Sequence, residues 1–306
     1  MKRTLHLIVI VALLVSCGQS YEETKRINQQ QRKEAQRKDS AALKIAVMPT
    51  LDCLPMYVAE YHHLFDTLNG GVRLKPFKAH MDCDTALERL RVEGSVTDLV
   101  RAARMAKQGT KLRYVAATNA YWQLVTNRNA RIHQLKQLDD KMVAMTRYSV
   151  TDMLSDIVVD SAKLMDEHLF RVQINDVDVR MQMLQNNEID ALFFTEPQAT
   201  MARQAKHPIV LDTRKMDVRM GVIAFREKEM RRPERQRQLD LFVKAYNAAC
   251  DSINKHGVRY YRDLIAKKCG VPVAVADSLP KDIQYQHASG PRQQDIDRAE
   301  KWLNKK

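Results

Sequence analysis

The sequence predicts an α/β protein of two lobes, each a mainly parallel sheet flanked by helices, with a helical C-terminal region. Three observations predict it. Short apolar runs alternate with helix-period segments from Leu43 to about Leu211, the pattern of strands wrapped by helices. The alternation restarts at Lys141, so one grammar is used twice. And 306 residues, 45% hydrophobic and 28% charged, suffice for two cores.

Lys44–Met48 reads as a strand, 49–55 as a loop, and Met56–Phe65 as a helix with Pro55 suited to its first turn. Val72–Phe77 is a second strand, Asp84–Arg91 a helix broken by Gly94, and Ser95–Val100 a third strand. A helix (Arg101–Gln108) and a strand (Leu112–Ala117) follow. The restart gives a strand (Lys141–Met145), a loop to Ser149, a helix (Val150–His168), a strand (Phe170–Ile174) and a helix (Asp178–Gln185). Next come a strand (Ile189–Phe194), a helix opened by Thr195-Glu196-Pro197, and a short strand (Pro208–Leu211). Met220–Phe225 is expected to return to the first lobe. Phe242, Tyr246, Ala249 and Ile253 then mark the buried face of a helix that Gly257 ends. The lobe boundaries expected are 43–127, 128–217 and 218–306.

The N-terminus sets the compartment. Met1-Lys2-Arg3, an apolar run from Leu5 to Val15 and Ser16-Cys17-Gly18 form a secretion signal. The run is too short to span about 30 Å of hydrocarbon. Leu14-Val15-Ser16-Cys17 resembles the bacterial lipoprotein box, which implies a signal peptide over 1–16 and lipidation of Cys17. Several acyl chains in one place anchor stably. Residues 18–42 are rich in Gln, Lys, Arg, Glu and Ser, with Ile27 the one large aliphatic residue, and read as a polar tether. No later stretch approaches membrane-spanning length, so the chain from about Leu43 is expected in water, held at the outer face of a bacterial membrane. The net charge of +13 is spread among 37 acidic residues without a long basic block. With 6% aromatics and an exported location, that argues against nucleic-acid binding.

Ligands of open α/β sheets bind beyond the carboxyl ends of the strands. There the first lobe places Thr50, Asp52 and Cys53, then Asp82, Cys83 and Asp84, then Thr97 and Asp98. The second places Arg147, Tyr148, Ser149 and Thr151, then Thr195 and Glu196. Two such rims make a hinged cleft. Helix N-termini at Ser149 and Pro197, with Arg147, favour an anionic group, and Asp52, Asp82, Asp98 and Glu196 favour a cation or hydrogen-bond donors. Both signs suggest a zwitterionic or amine-bearing heterocyclic solute, with Tyr121, Trp122 or Tyr148 to stack on it. The alternative is that these acids and threonines cap helices.

The order of Lys44–Phe65 (strand, Pro-Thr-Leu-Asp loop, Leu-Pro-Met-Tyr-Val-Ala, Leu-Phe) resembles the opening of type 2 periplasmic solute-binding proteins, nearest the nitrate, sulfonate and thiamine-precursor group. Ala86–Asp98, the crossover from Gln123–Asn127 to Leu138–Val143, and Asn187–Pro197 agree, over roughly Leu43–His256. Asp52-Cys53 and Asp82-Cys83-Asp84 depart from the small hydroxyl residues expected in such loops, and the Cys-rich motif of fungal pyrimidine-synthesis enzymes on this fold is missing. The resemblance implies a monomeric receptor, without cofactor, that captures a small solute and delivers it to an ABC permease with its ATPase. A lipid-anchored sensor and a periplasmic enzyme on the same fold are the alternatives.

Cys53 and Cys83 follow first-lobe strands, so a disulfide, a pair of cleft thiols and two unrelated buried thiols all stay open, as does a pairing of Cys250 with Cys269 on consecutive helices. His62-His63 reads as a solvated surface pair, since adjacent helical residues point apart. A metal site of Asp52, Cys53, Asp82 and Cys83 is chemically conceivable but not expected. No Gly-rich phosphate loop, nucleophile elbow or His-Glu-x-x-His helix occurs.

Overall fold

The structure, a computed structural model, describes residues 21–66 and 71–306. The signal peptide and Cys17 lie outside the described residues. The chain forms β1 (Leu43–Val47), β2 (Val72–Pro76), β3 (Gly94–Asp98) and β4 (Leu112–Ala117), then β5 (Gln123–Thr126), β6 (Lys141–Met145), β7 (Leu169–Gln173), β8 (Ala191–Phe194), β9 (Ile209–Asp212) and β10 (Gly221–Arg226). They build two five-stranded sheets, ordered β2-β1-β3-β10-β4 and β7-β6-β8-β5-β9.

The sheets are built alike. In each, three strands run parallel and the fourth is antiparallel to both neighbours. That fourth strand is the one delivered by a crossover: β5 enters the second sheet and β10 returns to the first. The expected boundary at residue 127 therefore falls too late. Gln123–Thr126 is hydrogen-bonded to β8 and β9, so the chain has crossed before Gln123. Its four buried residues, with Leu124 and Val125 fully covered, can be paired on both edges only inside that sheet.

Burial follows the pattern read in the sequence. Helix Pro233–His256 turns Phe242, Tyr246, Ala249 and Ile253 into the first-lobe core, where Phe242 meets Phe65 at 6.2 Å and Phe225 at 5.5 Å. Each such side chain, fully covered, contributes roughly 1.5–3 kcal/mol. Gly257, at φ 81°, ends the helix as expected. Helix Val150–Ala162 stops earlier than expected because Lys163 turns left-handed at φ 54°. Helix Gln293–Leu303 lies on helix Leu99–Lys107, and its Trp302 indole donates to Asp156 at 2.7 Å, so the C-terminal helix straddles both lobes.

The segment expected as a polar tether is one helix, Tyr21–Ala41, largely exposed. Its last turn is pinned to the body. Asp39 pairs with Lys75 at 2.9 Å and Arg73 at 3.0 Å, and Arg235 and Gln238 each donate to the Ala41 carbonyl at 2.8 Å. Among the described residues, no helix is long and apolar enough to cross a membrane.

Candidate functional site

The carboxyl ends of β1, β3, β6 and β8 meet across a closed seam. Asp98, at the end of β3, accepts from its own helix at Arg101 N (3.0 Å) and from the second lobe at Val150 N (3.1 Å). Leu51 N donates to the Glu196 carbonyl at 2.7 Å, and Gln198 donates to the Pro49 carbonyl at 2.8 Å. At the rim, Ala79 and Asp176 form a bridge and Lys78 pairs with Asp178 at 2.8 Å.

Inside the seam sits a charged cluster. Arg101 is 2% exposed and pairs with Asp84 at 2.7 Å, with Asp98 at 3.8 Å; Arg104 approaches Asp84 at 3.5 Å. Burial raises the Asp84 carboxyl above its usual range, against the pull of Arg101, and pushes Asp98 up to about 6. From the second lobe, Arg180 donates to the Thr146 hydroxyl at 2.8 Å and to the carbonyls of Ile174 (2.7 Å) and Phe193 (3.2 Å). Burial, with the nearby Arg101 charge, lowers Arg180 to about 10. His80 is held neutral, lowered to about 3 by burial and then by Arg101 and Arg180. His80 is half-buried as a residue, yet its Nδ1 is covered. That atom, Asp84 Oδ1, Thr97 Oγ1 and Arg101 Nε are all buried without a hydrogen-bond partner.

A second cluster surrounds Glu196, 2% exposed. Its carboxylate accepts from Tyr121 OH (3.1 Å), Gln123 (3.2 Å), Thr200 N (2.9 Å) and Arg203 (2.6 Å). Asp52 accepts from the Thr118 hydroxyl at 3.4 Å, and burial raises its carboxyl. Leu51, Asp52, Asn119, Tyr121, Thr195, Glu196 and Ile283 enclose a space of only about 10 Å³.

The structure thus brings Asp52, Thr97, Asp98, Tyr121, Thr195 and Glu196 to the seam. Thr50 and Cys53 are buried beside it, their side chains 3.7 Å apart. Ser149 is buried and caps helix Val150–Ala162, accepting from Thr151 N at 3.1 Å. Cys83 is buried on helix His80–Glu88, its thiol raised to about 12 by burial, whereas Asp82 is exposed on that helix's first turn. Trp122 packs in an apolar cluster with Leu124 and Leu211. Arg147 and Tyr148 are exposed, the latter at φ 54°, which carries the loop outward before Ser149. Sequence reasoning missed His80, Arg101, Arg180 and Arg203. His80 and Arg101 lie within one helical turn of a recognised strand end, Arg180 and Arg203 further along the following helices, and only the fold turns these long side chains inward.

Cys53, Cys83, Cys250 and Cys269 are free and buried. His62 reaches the Tyr261 hydroxyl at 3.3 Å. The described residues hold one trio of possible metal donors, Asp139, Asp140 and His168, largely exposed and not drawn from the residues weighed for a metal.

No protein-family model and no curated protein matches the sequence. Solved structures do match. The periplasmic aliphatic sulphonate binding protein SsuA of Escherichia coli aligns at TM-score 0.69 and 15% identity, covering 86% of this chain and 87% of that one. The periplasmic nitrate-binding protein NrtA of Synechocystis PCC 6803 aligns at 0.68 and 11%, covering 86% and 80%. The Candida albicans CA3427 gene product, described as having the generic periplasmic binding protein structural fold, aligns at 0.67 and 12%, covering 87% and 90%. Together with the paired sheets and their two crossovers, these likenesses establish that the chain has the type 2 periplasmic binding-protein fold.

Proposed function

We propose that the protein is an extracytoplasmic receptor, anchored through lipid on Cys17, that captures a small solute in the seam between its lobes and hands it to an ABC permease and its ATPase. One observation carries the reading. Buried polar groups of His80, Asp84, Thr97 and Arg101 crowd together where the two lobes meet, and several of their atoms lack close hydrogen-bond partners. Buried polar groups are otherwise almost always satisfied, and an orphan costs about 1–3 kcal/mol. A seam that opens and admits a polar solute supplies the missing partners, so opening and binding are linked. The names of similar structures, binding proteins for sulphonates and nitrate, support the same class of role.

Charges of both signs flank the seam, which suits a solute carrying both an anionic group and hydrogen-bond donors. Arg101 and Arg180 would face the anion; Asp52, Asp98 and Glu196 would face the donors. Because no step of this needs bond chemistry in the solute, the receptor should release it unchanged. Titration calorimetry with the solute recovered from the purified protein tests the assignment. Asp52→Ala and Glu196→Ala should each weaken binding about tenfold, the loss of one charge-assisted hydrogen bond. Unchanged affinity in both would remove the site, and consumption of the solute would make the protein an enzyme.

A further inference from the structure

A cavity of about 480 Å³ opens at the hinge, on the far side of the seam's wall. Both crossovers line it, through Ala117–Tyr121 on one side and Thr213, Arg214 and Asp217–Arg219 on the other. The third side is the C-terminal segment 282–292, held to the first crossover where Ala117 N donates to the Ser289 carbonyl at 2.6 Å. Asn119, Ala120, Tyr121 and Ile283 line both this cavity and the space of about 10 Å³ in the seam, so they are the partition between them. The seam space holds about one water. The hinge cavity falls within the range of about 300–1,000 Å³ of small-molecule sites.

Its chemistry is specific. Tyr121 supplies an aromatic wall, and the edges of Tyr246 and Tyr285, otherwise buried in the first-lobe core, close the floor. Three arginines, Arg214, Arg219 and Arg292, and two aspartates, Asp217 and Asp282, line it; Arg292 is engaged by Asp295 at 2.6 Å as well as by Asp217, and Arg214 by Asp212, so Arg219 is the cation left to meet an anion. Asp217 is already engaged by Arg292 at 2.6 Å, and its carboxyl is held below the usual range by that contact first, with Arg219 adding to it. Arg214 lies 4.2 Å above the Tyr121 ring, and its edge donates to Asp212 at 2.6 Å. A flat ring stacks beside the Tyr121–Arg214 pair, and an anionic group on it meets Arg219.

We infer that the hinge cavity is a second binding site, separate from the seam, for a planar aromatic organic anion. Its walls are wired to the seam. Tyr121 OH donates to Glu196 at 3.1 Å, Thr118 to Asp52 at 3.4 Å, and Tyr285 OH to the Leu51 carbonyl at 2.7 Å. A molecule that fixes these three side chains also braces both crossovers in the closed arrangement. Occupation therefore favours closure, and by linkage closure favours occupation.

The test needs no knowledge of the seam's solute, so it fails or succeeds independently of the receptor reading. The probe is 1-anilinonaphthalene-8-sulfonate, with the uncharged N-phenyl-1-naphthylamine as control, followed by fluorescence. The anion should bind at one saturable site, raise Tm, and bind about tenfold tighter than the neutral probe. Ser289→Trp, an exposed position that would plug the cavity, should weaken the anion at least about tenfold and abolish the Tm shift. Arg219→Gln should weaken the anion about tenfold and leave the neutral probe unchanged. Equal binding of the two probes, or an isotherm that neither substitution changes, overturns the inference.

Discussion

Arg101 joins the first lobe to the chemistry of the seam. It is fully buried, and Asp84 and Asp98 are the carboxylates that balance it. Removing one partner of a buried pair leaves a charge without compensation, which costs about 3–5 kcal/mol. Arg101→Met should therefore destabilise the protein by about 3 kcal/mol in urea melts, the nearby Arg104 moderating the loss. Adding Asp84→Asn to that variant should recover part of it, because the orphaned charge goes too. Asp98 gives a pH signature. Its carboxyl is raised to about 6 in the folded protein, against about 3.9 in an unfolded chain. The native state thus holds the proton more tightly, so this contribution is complete below about pH 4 and is lost as pH rises through 6. His80, lowered to about 3 from about 6.5, acts in the opposite sense, favouring the fold as pH rises over that window. The two are separated by difference. Relative to wild type, Asp98→Asn should gain stability steadily between pH 4 and 6 and stay level above pH 7, as followed by Tm. The residues that could be read from sequence were those at strand ends, such as Asp98 and Glu196, because period and position locate them. Arg101 and Arg180 were not, since a cation on a polar helix looks like any solvated charge until its neighbours are known.

At the scale of elements, the alternation of apolar runs located nine of the ten strands to within a residue or two; Gln123–Thr126 was read only as part of a crossover. It did not say which sheet β5 joins, because a strand beside a crossover carries the same apolar signal in either lobe. Nor did composition show that Tyr21–Ala41 is a helix: polar all round, it has no apolar face to mark a period. Its docking is confined to the last turn, where Asp39 and the Ala41 carbonyl meet the body. Deleting residues 21–35 should accordingly leave unfolding stability within about 0.5 kcal/mol of the full chain, measured by chemical denaturation. Gly94 shows the opposite sensitivity. A Cβ built there would stand 2.4 Å from the Phe225 ring, across the β3–β10 pairing. Gly94→Ala should cost about 1–3 kcal/mol as the ring and its neighbours in the first-lobe core shift.

For the whole molecule, the repeated grammar of the sequence was enough to give two lobes, and their shared strand order explains why. Each lobe needs a fourth strand that the chain can deliver only by crossing, so two crossovers and a hinge follow from the topology itself. What sequence could not give was how the rims meet. The closed seam depends on main-chain N–H groups, Leu51 donating to the Glu196 carbonyl and Val150 to the Asp98 carboxylate, pairings that no residue pattern announces. The exposed Lys78–Asp178 pair adds little, about 0–1 kcal/mol. Closure is held by the buried contacts, and on the proposed reading a solute entering the seam exchanges with them. We propose that this seam takes up one small molecule outside the cytoplasm. Native mass spectrometry of the full-length protein, purified gently from membranes of the cells that make it, tests this most directly. A one-to-one adduct is predicted on the wild type, lost from the Asp52→Ala/Glu196→Ala double variant and retained by Ser289→Trp. The bare polypeptide mass, both as purified and after incubation with a metabolite extract of those cells, would contradict the account.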